Sequence, residues 1–367
     1  MLINQQINFK YLKSYNLIYP QGAQHLGSAL LNLSQLSDLT LELKGNEIND
    51  QGALSLITAL KALTHLQVLK LDLQENSLSD SGAAELLTHL KFCKELHTLL
   101  LNLEYNQIGI LFASNLGSVL ENCSNLDILA LSLQSKVLDT ESISVFFHGL
   151  SKCSNLSTLE LNLISSKVDY KNLQDLGTTL KTYNKLQSFK LNLDESNLTE
   201  DCIQILFSDL SNCNQLTNLK INLSNNKIVD QSLSNLSFAL SNCSNFITLE
   251  IDFSDNQING SGAEILSSSI SKLTKLQDLT LIFKRNELSD KGVSSIGSAL
   301  VNCANLNTLK LDFSYNSLGN KGSQDLSSSL EQMKLLSNLS LDIRQKQLKH
   351  LFILKSINNL IKNSQTK

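Results

Sequence analysis

Leucines at positions 36, 39, 41 and 43 return thirty residues later at 66, 69, 71 and 73, with polar residues between them in the same places. The segment LSDLTLELKGNEI beginning at Leu36 recurs as LQVLKLDLQENSL at Leu66 and LHTLLLNLEYNQI at Leu96. Later copies are LTNLKINLSNNKI at Leu216, FITLEIDFSDNQI at Phe246, LQDLTLIFKRNEL at Leu276 and LNTLKLDFSYNSL at Leu306, and the last, LSNLSLDIRQKQL, starts at Leu336. Eleven copies fit this spacing without an insertion or deletion. A degenerate unit precedes them at Gln6, where Phe9, Tyr11, Asn16 and Ile18 keep the pattern thirty residues ahead of Leu39, Leu41, Asn46 and Ile48.

Two rhythms alternate within each unit. The LxLxL stretch has period two, which predicts a short strand with one buried face. About ten residues later, segments such as QGALSLITALKAL (Gln51 to Leu63) place Ala53, Leu56, Leu60 and Leu63 three and four apart, the spacing of one buried helix face. Asn-x-Ile and Asp-x-Gly join the two, and the glycines at 22, 52, 82, 262, 292 and 322 suit a tight turn into the helix. One strand and one helix cannot bury their apolar faces alone, so successive units must stack. Parallel strands sit about 4.8 Å apart and packed helices about 8–10 Å, so the stack is expected to curve with its sheet inside. Twelve strands would make a concave wall of about 55 Å.

The units resemble the leucine-rich repeat family, in its long, helix-containing, ribonuclease-inhibitor-like type, over essentially the whole chain. The usual LxxLxLxxNxL is here LxxLxLxLxxNxL, two residues longer, and similar thirty-residue arrays are common in single-celled eukaryotes with AT-rich genomes, ciliates among them. An even addition keeps each side chain on its own face and lengthens the strand by about 6–7 Å. The resemblance implies an α/β leucine-rich repeat solenoid, a curved horseshoe with a parallel sheet on the concave face and helices on the convex one. The expected organisation is one solenoid over 1–367. It has an N-terminal capping unit at 1–35, eleven repeat strand motifs over 36–348, and a C-terminal capping helix and basic tail at 349–367.

With the leucines turned inward, the concave face carries residues 38, 40, 42 and 44 and their equivalents. One column, Glu42, Asp72, Asn102, Ser132, Asn162, Asn192, Asn222, Asp252, Ile282, Asp312 and Asp342, is almost wholly acidic or amide. Its neighbour includes Lys70, Glu160, Lys190, Lys220, Glu250 and Lys310. Two readings fit: a solvated surface of Asn ladders and alternating charge, or a polar surface for a protein with basic patches. Under the second, the candidate partner-binding residues are the column members Glu42, Asp72, Asn102, Asn162, Asn192, Asn222, Asp252, Asp312 and Asp342. At its edge, Tyr105, Arg285 and Tyr315 are large residues of the kind that anchor interfaces.

Composition narrows the chemistry. Leu, Ser and Asn supply 78, 50 and 39 of 367 residues, with a single Pro and no Trp. The chain is therefore expected to lack linkers. No run of 18 apolar residues points to a membrane span, and the first residues hold no signal-peptide core. Six of seven cysteines (93, 123, 153, 213, 243, 303) occupy one column that holds leucine or methionine elsewhere. They read as small hydrophobes in a reducing compartment. The six histidines fall in six different columns, with no short metal-ligand spacing. No phosphate-binding loop, nucleophile elbow or kinase motif set is present. Net charge is −4, but residues 1–37 and 344–367 hold only basic groups, which leaves an acidic body unsuited to nucleic acid.

These observations predict a non-enzymatic interaction scaffold with no catalytic residues, cofactor, metal or small-molecule substrate. Its partner would be a protein held on the concave face, without nucleic acid or membrane insertion, and its setting cytoplasmic. The family's habits point to a cytoskeletal or ciliary assembly. The alternative is a GTPase-activating protein similar to Ran GTPase activators, whose crescent is built of comparable repeats. Against that, these units are longer and the chain ends in lysines where such activators carry an acidic tail.

Overall fold

The computed structural model describes residues 5–9, 15–134, 138–243 and 245–345. The expected C-terminal capping helix and basic tail at 349–367 lie outside the described residues. The chain divides into two compact units, Met1–Ser196 and Asn197–Lys367. In the first, strands β1 (Gln5–Phe9), β2 (Leu36–Glu42), β3 (Val68–Asp72), β4 (Thr98–Asn102), β5 (Ile128–Ser132), β6 (Thr158–Asn162) and β7 (Ser188–Asn192) alternate with helices. Those helices are α1 (Tyr19–Leu30), α2 (Asn49–Leu60), α3 (Asp80–Thr88), α4 (Ile110–Asn122), α5 (Thr140–Leu150) and α6 (Tyr170–Leu180). The second unit runs α7 (Glu200–Leu210), β8 (Asn218–Asn222), α8 (Asp230–Asn242), β9 (Thr248–Asp252), α9 (Gly260–Ile270), β10 (Asp278–Ile282), α10 (Asp290–Leu300), β11 (Thr308–Asp312), α11 (Asn320–Leu330) and β12 (Asn338–Asp342).

Within each unit every strand pairs in parallel with the next, and the register advances by thirty. Leu39, Leu69, Leu99, Leu129, Leu159 and Phe189 are successive partners in the first unit, and Leu219, Leu249, Leu279, Leu309 and Leu339 in the second. The first strand departs from the expected alignment. Ile7 pairs with Leu39 and Phe9 with Leu41, a slip of two from the thirty-residue step. An even slip preserves the alternation of faces, and the step is regained by Tyr15, whose N–H donates to Lys44 O at 3.0 Å. The third leucine of each LxLxL extends the ladder past the strand end, as Leu43 N donates to Asp72 O at 2.8 Å.

The core is the leucine ladder with phenylalanines set into it. Phe253, Phe283 and Phe313 are fully buried and stack in successive repeats with ring centroids 5.3 and 6.3 Å apart. The asparagine after the strand is a structural ladder of its own. Asn76 Oδ1 accepts from Asn46 N at 3.1 Å and Ile48 N at 3.2 Å, while its Nδ2 donates to Leu43 O and Gln74 O at 2.8 and 3.0 Å. Asn106, Asn256, Asn286 and Asn316 repeat parts of this set, so each asparagine satisfies backbone groups that burial cuts off from water. At Ser166 and Ser196 the side chain is too short. At the Ser166 turn the backbone closes on itself, Ser166 N donating to Leu163 O and Val168 N to Ser166 O, whereas after Ser196 the N–H of Leu198 still donates to Asn226 Oδ1.

The repeated glycine does not serve a left-handed turn. Among described glycines only Gly45 has positive φ. Gly52, Gly82, Gly262, Gly292 and Gly322 lie in the first turn of their helices, and there they make room for the preceding repeat. A Cβ on Gly82 would stand 2.0 Å from the Asp50 carboxylate, one on Gly262 2.5 Å from that of Asp230, and one on Gly322 2.6 Å from that of Asp290. Those carboxylates accept from backbone N–H groups opening the next repeat's helix: Asp50 from Ser79, Asp230 from Asn259 and Asp290 from Gly319. A carboxylate at a helix N-terminus is favourable, and the glycine permits it. Where the acid is absent, at Ile110 and Thr140, the next helix is capped by its own Asp139 or Asp169, and Ser142 or Asn172 replaces the glycine.

The cysteine column is buried except at Cys213, which is partly exposed. Its thiols also act as weak donors. Cys153, Cys243 and Cys303 reach Leu120 O, Leu210 O and Ile270 O at 3.5, 3.5 and 3.3 Å, helix C-terminal carbonyls that also accept from the backbone N–H three residues on. Tyr183 donates likewise to Leu150 O at 2.6 Å. Burial pushes the thiols of Cys93, Cys123, Cys243 and Cys303 up to about 11 and that of Cys153 to about 12. Because the thiolate is the reactive form, a chromogenic disulfide reagent at pH 8 should leave these five untouched in the native protein and titrate them in denaturant. Cys213 should react first; rapid native reaction at Cys153 would contradict its buried setting.

Candidate interaction face

Alternation along each strand turns every second residue away from the leucine core, and these side chains form rows across neighbouring strands. In the first unit one row runs Thr40, Lys70, Leu100, Ala130, Glu160 and Lys190, and the next Glu42, Asp72, Asn102, Ser132, Asn162 and Asn192. In the second unit the corresponding rows are Lys220, Glu250, Thr280, Lys310 and Ser340, and Asn222, Asp252, Ile282, Asp312 and Asp342. The column residues proposed from the sequence are thus brought together, one per repeat, within each unit.

Hydrogen bonding explains much of their chemistry. Asp72 Oδ1 accepts from Gln74 N at 3.0 Å, Asn102 Oδ1 from Glu104 N at 3.1 Å and Asn192 Oδ1 from Asp194 N at 3.2 Å. The second unit repeats this at Asn222, Asp252, Asp312 and Asp342, which accept from residues 224, 254, 314 and 344 at 2.8–3.1 Å. This is an Asx turn, available to Asp and Asn alike, so amide and acid interchange freely while the charge remains for other use.

The turn that follows carries a further column. Tyr15, Glu75, Tyr105, Ser165, Glu195, Asn225, Asp255, Arg285 and Tyr315 all have φ between 52° and 65°. The left-handed region disfavours most side chains, yet the N–H of each of several members donates across to the next repeat, for example Glu75 N to Glu104 O and Arg285 N to Ser314 O. Tyr105 and Tyr315, expected as anchors, are exposed here. Arg285 is partly engaged: it pairs with Asp255 at 3.3 Å and lies 5.5 Å over the Tyr315 ring.

Opposite charges in the same row pair in both units, Lys190 with Glu160 at 3.6 Å in the first and Lys220 with Glu250 at 3.0 Å in the second, where Asp342 also pairs with Arg344. On the first, Glu42, Asp72 and Glu104 have no cation within 4 Å among the described residues. A cavity of about 340 Å³ opens beside them, with Leu100 and Ala130 in its floor and Glu42, Lys70, Asp72 and Asn102 around it. Because β5 places only the small side chains of Ala130 and Ser132 between them, Glu104 reaches across to accept from Asn162 Nδ2 at 2.5 Å. Burial raises the carboxyl pKa of Asp72 and of Glu104. An acid whose folded pKa lies above its unfolded value penalises folding once ionised, and the penalty disappears as pH falls through the folded pKa. Asp72→Asn with Glu104→Gln should therefore be at least as stable as the parent at pH 7, its advantage shrinking at acid pH; urea midpoints at the two pH values check this. Sequence reading passed over Leu100, Ala130 and Glu104, although the lapse from charged to apolar residues at 100 and 130 was a visible signal.

A family model described as Leucine Rich repeat matches residues 37–56, the span of β2, its turn and the first half of α2. Both units have leucine-rich repeat architecture. Among solved structures the chain is similar to an internalin C2 from Listeria monocytogenes, at 16% identity over 90% of this chain and 96% of that one, with a TM-score of 0.35. No curated protein matches the chain. Leucine-rich repeats generally mediate protein–protein interaction. No helix among the described residues is long and apolar enough to cross a membrane, and no group of three His, Cys, Asp or Glu residues among them could hold a metal ion.

Proposed function

We propose that this chain is a non-enzymatic scaffold that holds a protein partner on the open faces of its strands. The observation that carries the proposal is the register of those faces. One outward row per strand position repeats every thirty residues, its backbone needs already met by Asx turns, with charged and aromatic side chains left at the surface. Each unit's face offers many spaced contacts, with an anchor at Tyr105 on the first and anchors at Arg285 and Tyr315 on the second. The setting we propose is a cytoskeletal or ciliary assembly in the cytoplasm, which only the habits of the leucine-rich repeat family suggest. The capping roles proposed for 1–35 and 349–367 belong to the same reading, since a stack needs covered ends.

The Asx turns dictate how the face must be tested. Reversing Asp252 or Asp312 to lysine would break the turn as well as the charge, whereas Asp252→Asn and Asp312→Asn keep the acceptor. The double variant should unfold at the parental urea midpoint and bind the partner, isolated by affinity purification from native cells and then purified, at least about tenfold more weakly by calorimetry. Unchanged affinity would move the site off this face. A panel of small GTPases assayed for multiple-turnover hydrolysis tests the enzymatic alternative; clear acceleration by this chain would overturn the scaffold reading.

A further inference from the structure

We propose that the cavity over Leu100 and Ala130 is a subsite for an arginine side chain of the protein partner, a reading that rests on the strand face being the interaction face. The aliphatic stem would lie on Leu100 and Ala130 and the guanidinium at the lining carboxylates Glu42 and Asp72, with Glu104 in the row beyond them. Three independent features select this occupant. The floor is apolar where every neighbouring position in the row is polar: Leu100 and Ala130 stand between Lys70 and Glu160 on adjoining strands. At about 340 Å³ the cavity lies at the lower end of the range for small-ligand pockets, about 300–1,000 Å³. That suits a single long side chain.

The polar groups beside the floor offer acceptors. Glu42, Asp72 and Glu104 are carboxylates without an ion-pair partner among the described residues. Asn162, next to Ser132 across the strand pair, gives its Nδ2 to Glu104 and so holds that carboxylate beside Ser132. A group that brings several donors and no acceptor satisfies this set, and guanidinium is the side chain that does so in a planar fork. Placing a cation there also relieves the cost of holding Asp72 and Glu104 ionised where burial disfavours it.

Charge sets the direction of entry. Lys70 lies in the row of the apolar floor and lines the cavity, and Lys44, whose charge also reaches Asp72 and Glu104, is tied to Glu75 at 3.8 Å and stacked 5.6 Å from the Tyr15 ring. Glu104 is four residues further along its strand direction than the row of Lys70, about 13 Å at about 3.3 Å per residue. A cationic head is therefore drawn toward Asp72 and Glu104 and away from Lys70, which leaves the stem over the floor.

The test is methyl-detected NMR of the full chain with labelled leucine and alanine methyls, titrated with N-acetyl-arginine N-methylamide and with the citrulline, norleucine and glutamate analogues. The arginine compound should shift the Leu100 and Ala130 methyls saturably, and citrulline, equal in shape but neutral, should bind at least about tenfold more weakly. Asp72→Asn with Glu104→Gln should abolish the arginine response while the remaining methyl spectrum stays parental, which shows that the fold is intact. No shift at Leu100 and Ala130 at tens of millimolar would overturn the proposal, as would equal responses to arginine and norleucine, which would make the site merely apolar. Either result leaves the scaffold reading standing, because that is decided separately by partner affinity of the Asp252→Asn, Asp312→Asn variant.

Discussion

Replacing Asn76 with leucine should lower the unfolding free energy by about 3–6 kcal/mol, although the two side chains are similar in size and the site is apolar on most sides. Asn76 is fully buried and makes four hydrogen bonds to backbone groups of its own and the preceding repeat. Leucine removes both acceptor bonds and both donor bonds. It leaves the N–H groups of Asn46 and Ile48 without that acceptor in an interior where water does not reach them. Each buried donor or acceptor left unpaired costs about 1–3 kcal/mol, and partial rearrangement of the turn limits the sum. The check is urea unfolding with amide exchange at Asn46 and Ile48, which should lose protection first. A midpoint within experimental error of the parent would refute the ladder as a source of stability. The irregular turns show what relaxation looks like: with Ser166 and Ser196 in this column, the N–H groups of Ser166 and Val168 turn to carbonyls of their own repeat. Ser166→Ala, which takes no acceptor from a neighbouring backbone N–H, should have a much smaller effect.

How far these features were legible in the sequence depends on whether they repeat at the period of the chain. The thirty-residue step placed every strand from Leu36 onward and the inward leucines, because a one-residue slip would turn the whole apolar set to water. It failed at β1, where a slip of two preserves alternation and composition alone cannot distinguish Ile7 from Phe9 as the partner of Leu39. The glycine column was visible but its cause was not. A glycine kept for positive φ and one kept for the close approach of a neighbouring carboxylate look identical in one dimension, and only the pairing of Gly82 with Asp50, thirty-two residues away, separates them. The acidic and amide column was likewise visible as a surface. Its Asx bonds to residues two further on were not, and they account for the interchange of Asp and Asn without reference to a partner. The cavity at Leu100 and Ala130 breaks the period instead of following it, so averaging the repeats concealed it.

Phe283→Ala should cost about 3–5 kcal/mol, the usual range for truncating a fully buried phenylalanine, and the loss should spread in a particular way. Phe283 is fully buried and its ring touches both Phe253 and Phe313 in the flanking repeats. The truncation therefore opens a cavity shared by three repeats. In a stack whose stability is a sum of repeat terms and nearest-neighbour interfaces, removing one central ring weakens two interfaces at once. Amide protection should fall in β9, β10 and β11 together, while β3 and β4 in the other unit keep their native exchange rates under conditions where only local opening occurs. Phe253→Leu, which keeps most of the volume, should cost under about 1.5 kcal/mol and leave the exchange pattern parental. If Phe283→Ala lowered protection equally in β3 and β10, the two units would be unfolding as one cooperative body, and the nearest-neighbour description of this chain would have to be abandoned. If protection fell in β10 alone, the stacked rings would be contributing only their own burial, and the coupling of adjacent repeats would have to reside in the leucine and asparagine ladders instead.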